Sequence, residues 1–342
     1  MHLRLLKTII SVTLLLSVTA APIIHADVTK RKDVNEFIER MVKQHDFKRS
    51  YLIKIFKRVK TNKKIIDAIS RPAESKPWYQ YRPLFLTDER IRGGVKFWRK
   101  YADHLQRAYE TYGVAPEIIV AIIGVETKYG RHVGKYPVIN ALTTLAFDYP
   151  SRGAFFEKEL EEFLLLAREE KKSPLNFKGS YAGAMGEPQF IASSYRQYAV
   201  DFNGDGKRDI INNTIDAIGS VANYFAAHNW TKDEPVVAPA TVDGDKYKAI
   251  VKKGIKPSMP LEDMLDNKVS ISERHSPGLQ TSLIELELEK SKEYWVAFNN
   301  FYVITRYNHS ELYAMAAYQL SQEIKRFRFV GPRKHSKSKS AH

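Results

Sequence analysis

The amino-acid sequence predicts a mainly α-helical protein of α+β class, in which one small antiparallel β-sheet interrupts a succession of helices. Two observations carry this reading. Apolar residues recur every three or four positions among Lys, Arg and Glu through most of the chain, the spacing of helices with one buried face. Between about Val236 and Trp295 that spacing gives way to short alternating or β-branched segments separated by Pro, Gly and Asp.

In chain order, "FIERMVKQHDF", "YLIKIFKRV" and "KKIIDAI" between Val34 and Ile69 read as two or three short surface helices. The stretch "RPAESKPWYQYRP" breaks the pattern with prolines and aromatics. It reads as a structured linker, and Tyr81 within it is a candidate sugar-stacking residue, since aromatics grouped with Arg can present such a surface. Helices resume at "IRGGVKFWRKYADHLQRAYETYG" and "PEIIVAIIGVETKYG", each ending at a Gly suited to a C-terminal cap, and another follows at "AFFEKELEEFLLLAREE". Four segments, "VVAPATV", "KYKAIV", "TSLIELELE" and "EYWVAF", then read as strands, before the helical pattern returns at "HSELYAMAAYQLSQEIKRF". No internal repeat is visible.

Composition narrows the function. The first residues combine a short basic start, an apolar stretch from about Ile9 to Ala21, and small residues at Ala20, Ala21 and Ala26 where a signal peptidase can cut. They read as an export signal over residues 1–26; the apolar stretch is shorter than the roughly 20 residues an uncleaved anchor needs. The chain has no Cys, which excludes disulfides, thiolate metal sites, a cysteine nucleophile and a lipoprotein anchor. A net charge of +15 favours a polyanionic neighbourhood, and export argues against nucleic acid in favour of a membrane surface or an anionic wall polymer. The basic, Ser-rich end over 329–342 reads as a solvated tail.

One carboxylate stands out. Glu126 follows an almost unbroken apolar run, and on a helix starting near Pro116 the side chains of Ile119, Ile122 and Ile123 share its face. Desolvation and the negative end of the helix both raise a carboxyl pKa, which would make Glu126 a proton donor near neutral pH, as glycoside cleavage requires. From this helix alone, a Glu at the rim of a core helix paired with Lys128 or Arg131 fits as well.

Five segments decide between these readings: "GVETKYGRHVG", "LAFDYPSRGAFF", "FKGSYAGAMGEPQFIASSYRQYAVDFNGDG", "DAIGSVANYFAAHNW" and "NNFYVITRYNHSELYAMAAYQL". In this order they resemble the lytic murein transglycosylases of the B type, over roughly residues 75–325. The resemblance implies a lysozyme-like helical catalytic core, a helical N-terminal region and a small inserted β domain. It divides the chain into an N-terminal region (27–74), a catalytic core (75–235), a β domain (236–297) and a helical return to the core (298–328). It further implies cleavage of the β-1,4 bond between N-acetylmuramic acid and N-acetylglucosamine in peptidoglycan, leaving a 1,6-anhydromuramic end. The family's catalytic Glu falls on Glu126, its active-site Ser on Ser180 and its groove Gln on Gln189. Tyr224, Tyr307, Asn308 and Tyr313 correspond to cleft residues, with Ser180 and Asn308 as hydrogen-bonding partners for the substrate acetamido group or for Glu126. At a further groove position stands Phe155, which can stack but lacks a hydroxyl, and a Pro common after Gln189-Phe190 is replaced by Ala192.

The sequence guarantees no second carboxylate beside the first, so the two-carboxylate scheme of ordinary glycosidases is not indicated. Substrate assistance removes the need: the acetamido group stabilises the anomeric centre while Glu126 acts first as acid and then as base. No organic cofactor is expected. In "DFNGDGKRDIIN", Asp201, Asn203, Asp205 and Asp209 match oxygen-ligand positions of an EF-hand loop, and Lys207 would contribute its backbone carbonyl. Asn212 replaces the bidentate Glu, and the resemblance points to Asp216 as the last ligand in a loop one residue longer. The expectation is a weak, structural calcium site; a metal-free Asx-rich turn is the alternative. The expected partners are peptidoglycan strands, with cell-wall synthesis or hydrolysis enzymes as candidate neighbours, no nucleic acid, and a monomeric periplasmic protein. A peptidoglycan-binding module without catalysis and a hydrolytic muramidase are the competing functions.

Overall fold

The computed structural model describes residues 27–70 and 76–330. The expected export signal, and most of the expected basic tail, lie outside the described residues.

The fold is organised around the helix Pro116–Thr127. Its sequence is apolar on every side, so it has no solvent face to keep, and ten of its residues are buried, from Glu117 to Val125 and Thr127. Helices Asp88–Lys100, Ala102–Tyr112, Thr214–Ala227 and Glu311–Phe329 pack around it. Its buried carboxylate at Glu117 is matched by Lys325 Nζ at 2.7 Å from the last of these.

The N-terminal helices Lys32–His45, Arg49–Phe56 and Lys63–Ile69 form as the spacing predicts. They are held to helices Val138–Asp148 and Gly153–Glu169 by polar contacts as well as by their apolar faces. Arg31 donates to Asp148 at 2.5 Å and to the Phe147 carbonyl at 2.9 Å, His45 meets Glu161 at 2.8 Å, and Arg40 pairs with Glu157.

Two boundaries differ from expectation. The run from Ile91 to Gly113 is two helices, broken at Tyr101 (φ −114°, ψ 28°), and Gly113 caps the second in the left-handed region as predicted. The helix carrying Glu126 stops before Gly130. Its cap is Lys128 (φ 49°), followed by Tyr129 (φ 62°) and Gly130 (φ 82°), three consecutive left-handed residues of which two have side chains. Each non-glycine residue there costs on the order of 1–2 kcal/mol, so surrounding contacts must hold the turn.

The sheet is antiparallel, in the spatial order Met259–Pro260, Gln280–Glu287, Lys292–Ala297, Val237–Val242, Val269–Ile271. It has its own apolar cluster, including Ala238, Leu261, Met264, Val269, Leu283, Val296 and Phe298. One expected strand is a helix: Tyr247–Val251 winds so that Tyr247, Ile250 and Val251, at i, i+3 and i+4, reach that cluster together. The Trp78 indole donates to Glu293 Oε1 at 2.9 Å and ties the sheet to the linker.

Candidate active site

Glu126 is the penultimate residue of its helix and half-buried, with neighbours Val125 and Thr127 inside the core. Burial pushes its carboxyl up to about 7 from an ordinary 4.5, against a lowering hydrogen bond from Tyr313. The Tyr313 hydroxyl donates to Glu126 Oε1 at 2.5 Å. Lys128 and Arg131 do not pair with Glu126: both turn to Glu89, at 3.4 Å and 2.9 Å. The bland reading of a rim carboxylate neutralised by its chain neighbours therefore fails.

Tyr307 and Tyr313 are both held well above the ordinary phenol range, by burial first and by the Glu126 charge second. Both remain neutral donors at any working pH. Tyr307 donates to the Pro188 carbonyl at 2.6 Å, which fixes the loop before Gln189. Gln189 itself is in the left-handed region (φ 52°), and its Nε2 donates to the Gly186 carbonyl at 2.9 Å and the Val133 carbonyl at 3.2 Å.

The segment around Ser180 packs backbone against backbone. A Cβ on Gly134 (φ 88°) would fall 2.1 Å from the Gly179 carbonyl oxygen, and one on Gly179 would fall 2.2 Å from that of Ala184. The Ser180 hydroxyl accepts from the amides of Ala182 at 3.3 Å and Ala184 at 3.1 Å. The hydroxyl that meets Glu126 Oε1 is that of Tyr313. Asn308 caps the Asn299–Tyr307 helix with extended backbone.

Other expected residues are placed differently. Tyr81 is 1% exposed, its ring packed on Phe85 and Trp78 with centroids at 5.0 and 6.4 Å, so it offers no stacking surface. It lies near enough to Tyr313 to bear on its charge, as part of the wall behind the acid. Tyr224 is also buried: its ring stacks on His228 at 4.1 Å and its hydroxyl donates to the Arg306 carbonyl at 2.5 Å, so it supports Tyr307 from behind. Phe155 is exposed at the surface, with the Arg152 guanidinium 4.4 Å from its ring centre.

Sequence reasoning missed the residues that hold the turn after Glu126. The buried Arg90 guanidinium donates to the Gly124 carbonyl at 2.9 Å and to those of Leu84 and Phe85 at 2.7 and 3.0 Å, closing the helix end. Tyr129 donates to the Arg90 carbonyl at 2.7 Å. The Thr127 hydroxyl accepts from the Gly130 amide at 3.0 Å and has the Ile123 and Glu187 carbonyls in reach of its single proton. No periodicity marks these residues; the three left-handed positions that need them appear only in three dimensions. Two sizeable cavities, of about 500 Å³ beside Phe97 and Tyr129 and about 760 Å³ beside Trp78 and Glu285, do not include Glu126. The site is recognised by its chemistry.

The acidic loop differs from the expected metal arrangement. Asp201 accepts from the amides of Gly204, Asp205 and Gly206, at 2.8, 3.1 and 2.6 Å, and Asp205 from the Lys207 amide at 3.0 Å. Asn203 bonds Asp205, and Asp209 accepts from Asn212. Asp216, expected as the last ligand, is fully buried, and its two oxygens take the amides of Phe202, Asn203 and Asp209 at 2.9, 3.1 and 2.9 Å. The donor set is made of hard oxygens, which suits calcium. Among the described residues, no group of three or more acidic or histidine side chains gathers closely enough to hold a metal ion.

A mainly helical, lysozyme-like fold carrying a carboxyl raised to about 7 beside a phenol donor fits a glycan-cleaving class of enzyme. Comparison narrows it. The transglycosylase SLT domain family matches residues 29–322. The membrane-bound lytic murein transglycosylase B of Escherichia coli K12 is 43% identical over 318 residues, covering 87% of this chain and 84% of that protein. The catenated lytic transglycosylase SltB1 from Pseudomonas aeruginosa is 49% identical, with a TM-score of 0.83 over 87% of this chain and 98% of that one. The Escherichia coli lytic transglycosylase Slt35 in complex with calcium is 42% identical, with a TM-score of 0.80 over 88% and 95%. The chain belongs to the transglycosylase SLT domain family, among the lytic murein transglycosylases of the B type.

Proposed function

We propose that this enzyme cleaves the β-1,4 bond between N-acetylmuramic acid and N-acetylglucosamine in peptidoglycan and closes a 1,6-anhydromuramic end, using Glu126 as its one acid and base. The observation that carries this reading is the half-buried Glu126 carboxyl, pushed up to about 7 and held at 2.5 Å by Tyr313. In its protonated form, about half the population at pH 7, it gives its proton to the glycosidic oxygen as the C1–O bond breaks. The acetamido oxygen of the muramic residue bonds to C1 and carries the positive charge as an oxazolinium. Glu126, now ionised and stabilised by the Tyr313 donor, takes the proton of the C6 hydroxyl. That oxygen attacks C1, the acetamido group is released, and the carboxyl is protonated again with no water consumed.

In this reading Ser180, Gln189, Asn308 and Phe155 contact the glycan, while Tyr307 and Tyr313 shape the acid's surroundings. Tyr81 and Tyr224 act from behind them as supports. The relatives named for murein, the expected export signal and the net charge of +15 support a periplasmic site of action on wall polymer. The acidic loop is read as a structural calcium site, held by oxygens of Asp201, Asn203, Asp205, Lys207, Asp209 and Asp216. When bound, the ion would cross-link the loop to the start of the Thr214–Ala227 helix. Support for it is the donor chemistry and the calcium complex of Slt35.

Mass spectrometry of digested sacculi tests the reaction. Anhydromuramic products, lighter by one water than hydrolytic ones, are expected from the wild type, and none from Glu126→Gln, which should still bind sacculi. Products carrying the added water would make the protein a muramidase, and undiminished cleavage by Glu126→Gln would remove Glu126 from the reaction.

A further inference from the structure

A second carboxylate close to the turn that ends the acid's helix has no assigned role. Glu187 stands in the loop "GEPQF", and four contacts tie it to three parts of the fold. Its amide donates to the Ile210 carbonyl at 3.1 Å, at the end of the acidic loop. Its carbonyl lies 3.1 Å from the hydroxyl of Thr127, the residue after Glu126. Its Oε1 accepts from the Thr214 hydroxyl at 2.7 Å, in the first turn of the Thr214–Ala227 helix. The same oxygen lies against Gly130, where an added Cβ would sit 3.1 Å away. Its other oxygen is buried without a hydrogen-bond partner among the described residues.

These contacts converge on the most strained backbone near the site. Lys128, Tyr129 and Gly130 are all left-handed, and a turn of this kind persists only where its surroundings over-determine it. Arg90 and Tyr129 hold it from the side of the Asp88–Lys100 helix. The Glu187 loop also reaches it, at Thr127 and Gly130. A buried carboxylate is costly at a place where an apolar side chain would pack, and its fixed bond to Thr214 gives it a use as a brace.

We propose that Glu187 is a positioning residue for the reaction: its side chain, anchored by Thr214, braces the left-handed turn after Glu126 and so fixes the acid's place. It acts through the backbone and touches no substrate. This inference rests on the reading of Glu126 as the acid.

The test compares Glu187→Ala, Glu187→Gln and Thr214→Val in the full chain, measuring kcat, KM and the pH profile of kcat/KM with thermal stability as a control. Loss of the brace is expected to lower kcat about tenfold in Glu187→Ala with KM little changed, because small misplacement of a catalytic group is expensive in rate. Displacing Glu126 from its 2.5 Å bond with Tyr313 should also shift the descending alkaline limb to higher pH. Glu187→Gln keeps an acceptor for Thr214 and should recover most of both effects, whereas Thr214→Val should share the direction of Glu187→Ala. If Glu187→Ala does not fold, Thr214→Val carries the test. A variant without the brace that keeps the wild-type kcat and alkaline limb overturns the proposal. So does a loss equal in Ala and Gln and proportional to lost folded protein. Activity retained in Glu126→Gln is the separate result that would instead sink the acid assignment.

Discussion

The phenol of Tyr313, near the start of the last helix, donates a 2.5 Å hydrogen bond to Glu126 Oε1 from a position 187 residues further along the chain. The two groups oppose each other energetically. Burial raises the Glu126 pKa by disfavouring its charge, while the phenol favours the ionised form and limits the rise to about 7. In the proposed reaction a carboxyl poised there can give up its proton when substrate arrives and tolerate the charge once the proton has left.

Removing the phenol should therefore move the pH profile upward. In Tyr313→Phe the acid loses its only lowering bond, so its pKa rises and the alkaline limb of kcat/KM shifts to higher pH. A hydrogen bond to a charged group is worth roughly 1.5–3 kcal/mol, which corresponds to a shift of about one to two pH units. The maximal rate should fall at the same time, because the carboxylate formed in the first step loses its donor. A pH–rate series on wild type and variant checks the sign; a limb that moves to lower pH would contradict this account.

The raised carboxyl also taxes the fold. Glu126 goes from an unfolded value near 4.5 to about 7 in the folded state, so between these pH values the folded protein binds the proton more tightly. Its stabilising contribution is complete below the unfolded pKa and is lost as pH rises through the folded one. At about 1.4 kcal/mol per unit, Glu126→Gln should be more stable than wild type by roughly 3 kcal/mol at pH 8. Near pH 4 the difference should vanish. Denaturant unfolding at the two pH values is the measurement.

Two glycines with positive φ should respond very differently to Ala. At Gly134 a methyl group would fall 2.1 Å from a backbone oxygen that has no room to retreat, so Gly134→Ala should cost more than about 3 kcal/mol and disturb the Ser180 segment. At Gly204 nothing lies within 4 Å, and only the left-handed backbone resists, so Gly204→Ala should cost about 1–2 kcal/mol. Thermal melts of the two variants should reproduce this order.

Calcium should act on stability alone. Saturating calcium is expected to raise the melting temperature, a chelator should reverse it, and Asp201→Ala should abolish the shift, since stabilisation follows ligand bound to the folded state. Glycan cleavage well below the melting temperature should not change. A melting temperature indifferent to calcium would identify the loop as a turn closed by its own amides.

Much of this protein is legible in one dimension, because helix spacing and strand alternation are local properties of the chain. The three N-terminal helices, the central apolar helix with Glu126 at its edge and most of the inserted sheet follow from such patterns. Where the pattern misled, a packed surface decided: Tyr247, Ile250 and Val251 alternate poorly as a strand but meet one apolar cluster as a helical turn. The same holds for Tyr81 and Tyr224, whose residue type suits sugar stacking but whose rings are enclosed by other aromatics.

By itself the sequence determined the fold class, the carboxylate at the C-terminal end of the buried helix, and the order of the segments around it. The tertiary structure alone decided which group meets that carboxylate. It turned Lys128 and Arg131 toward Glu89, brought Tyr313 to the acid and set Glu187 against the turn beyond it. The physical reason is range. Backbone preference and apolar period act over a few residues, whereas desolvation and hydrogen bonding of a half-buried charge depend on whatever distant segments the packed core brings within about 3 Å.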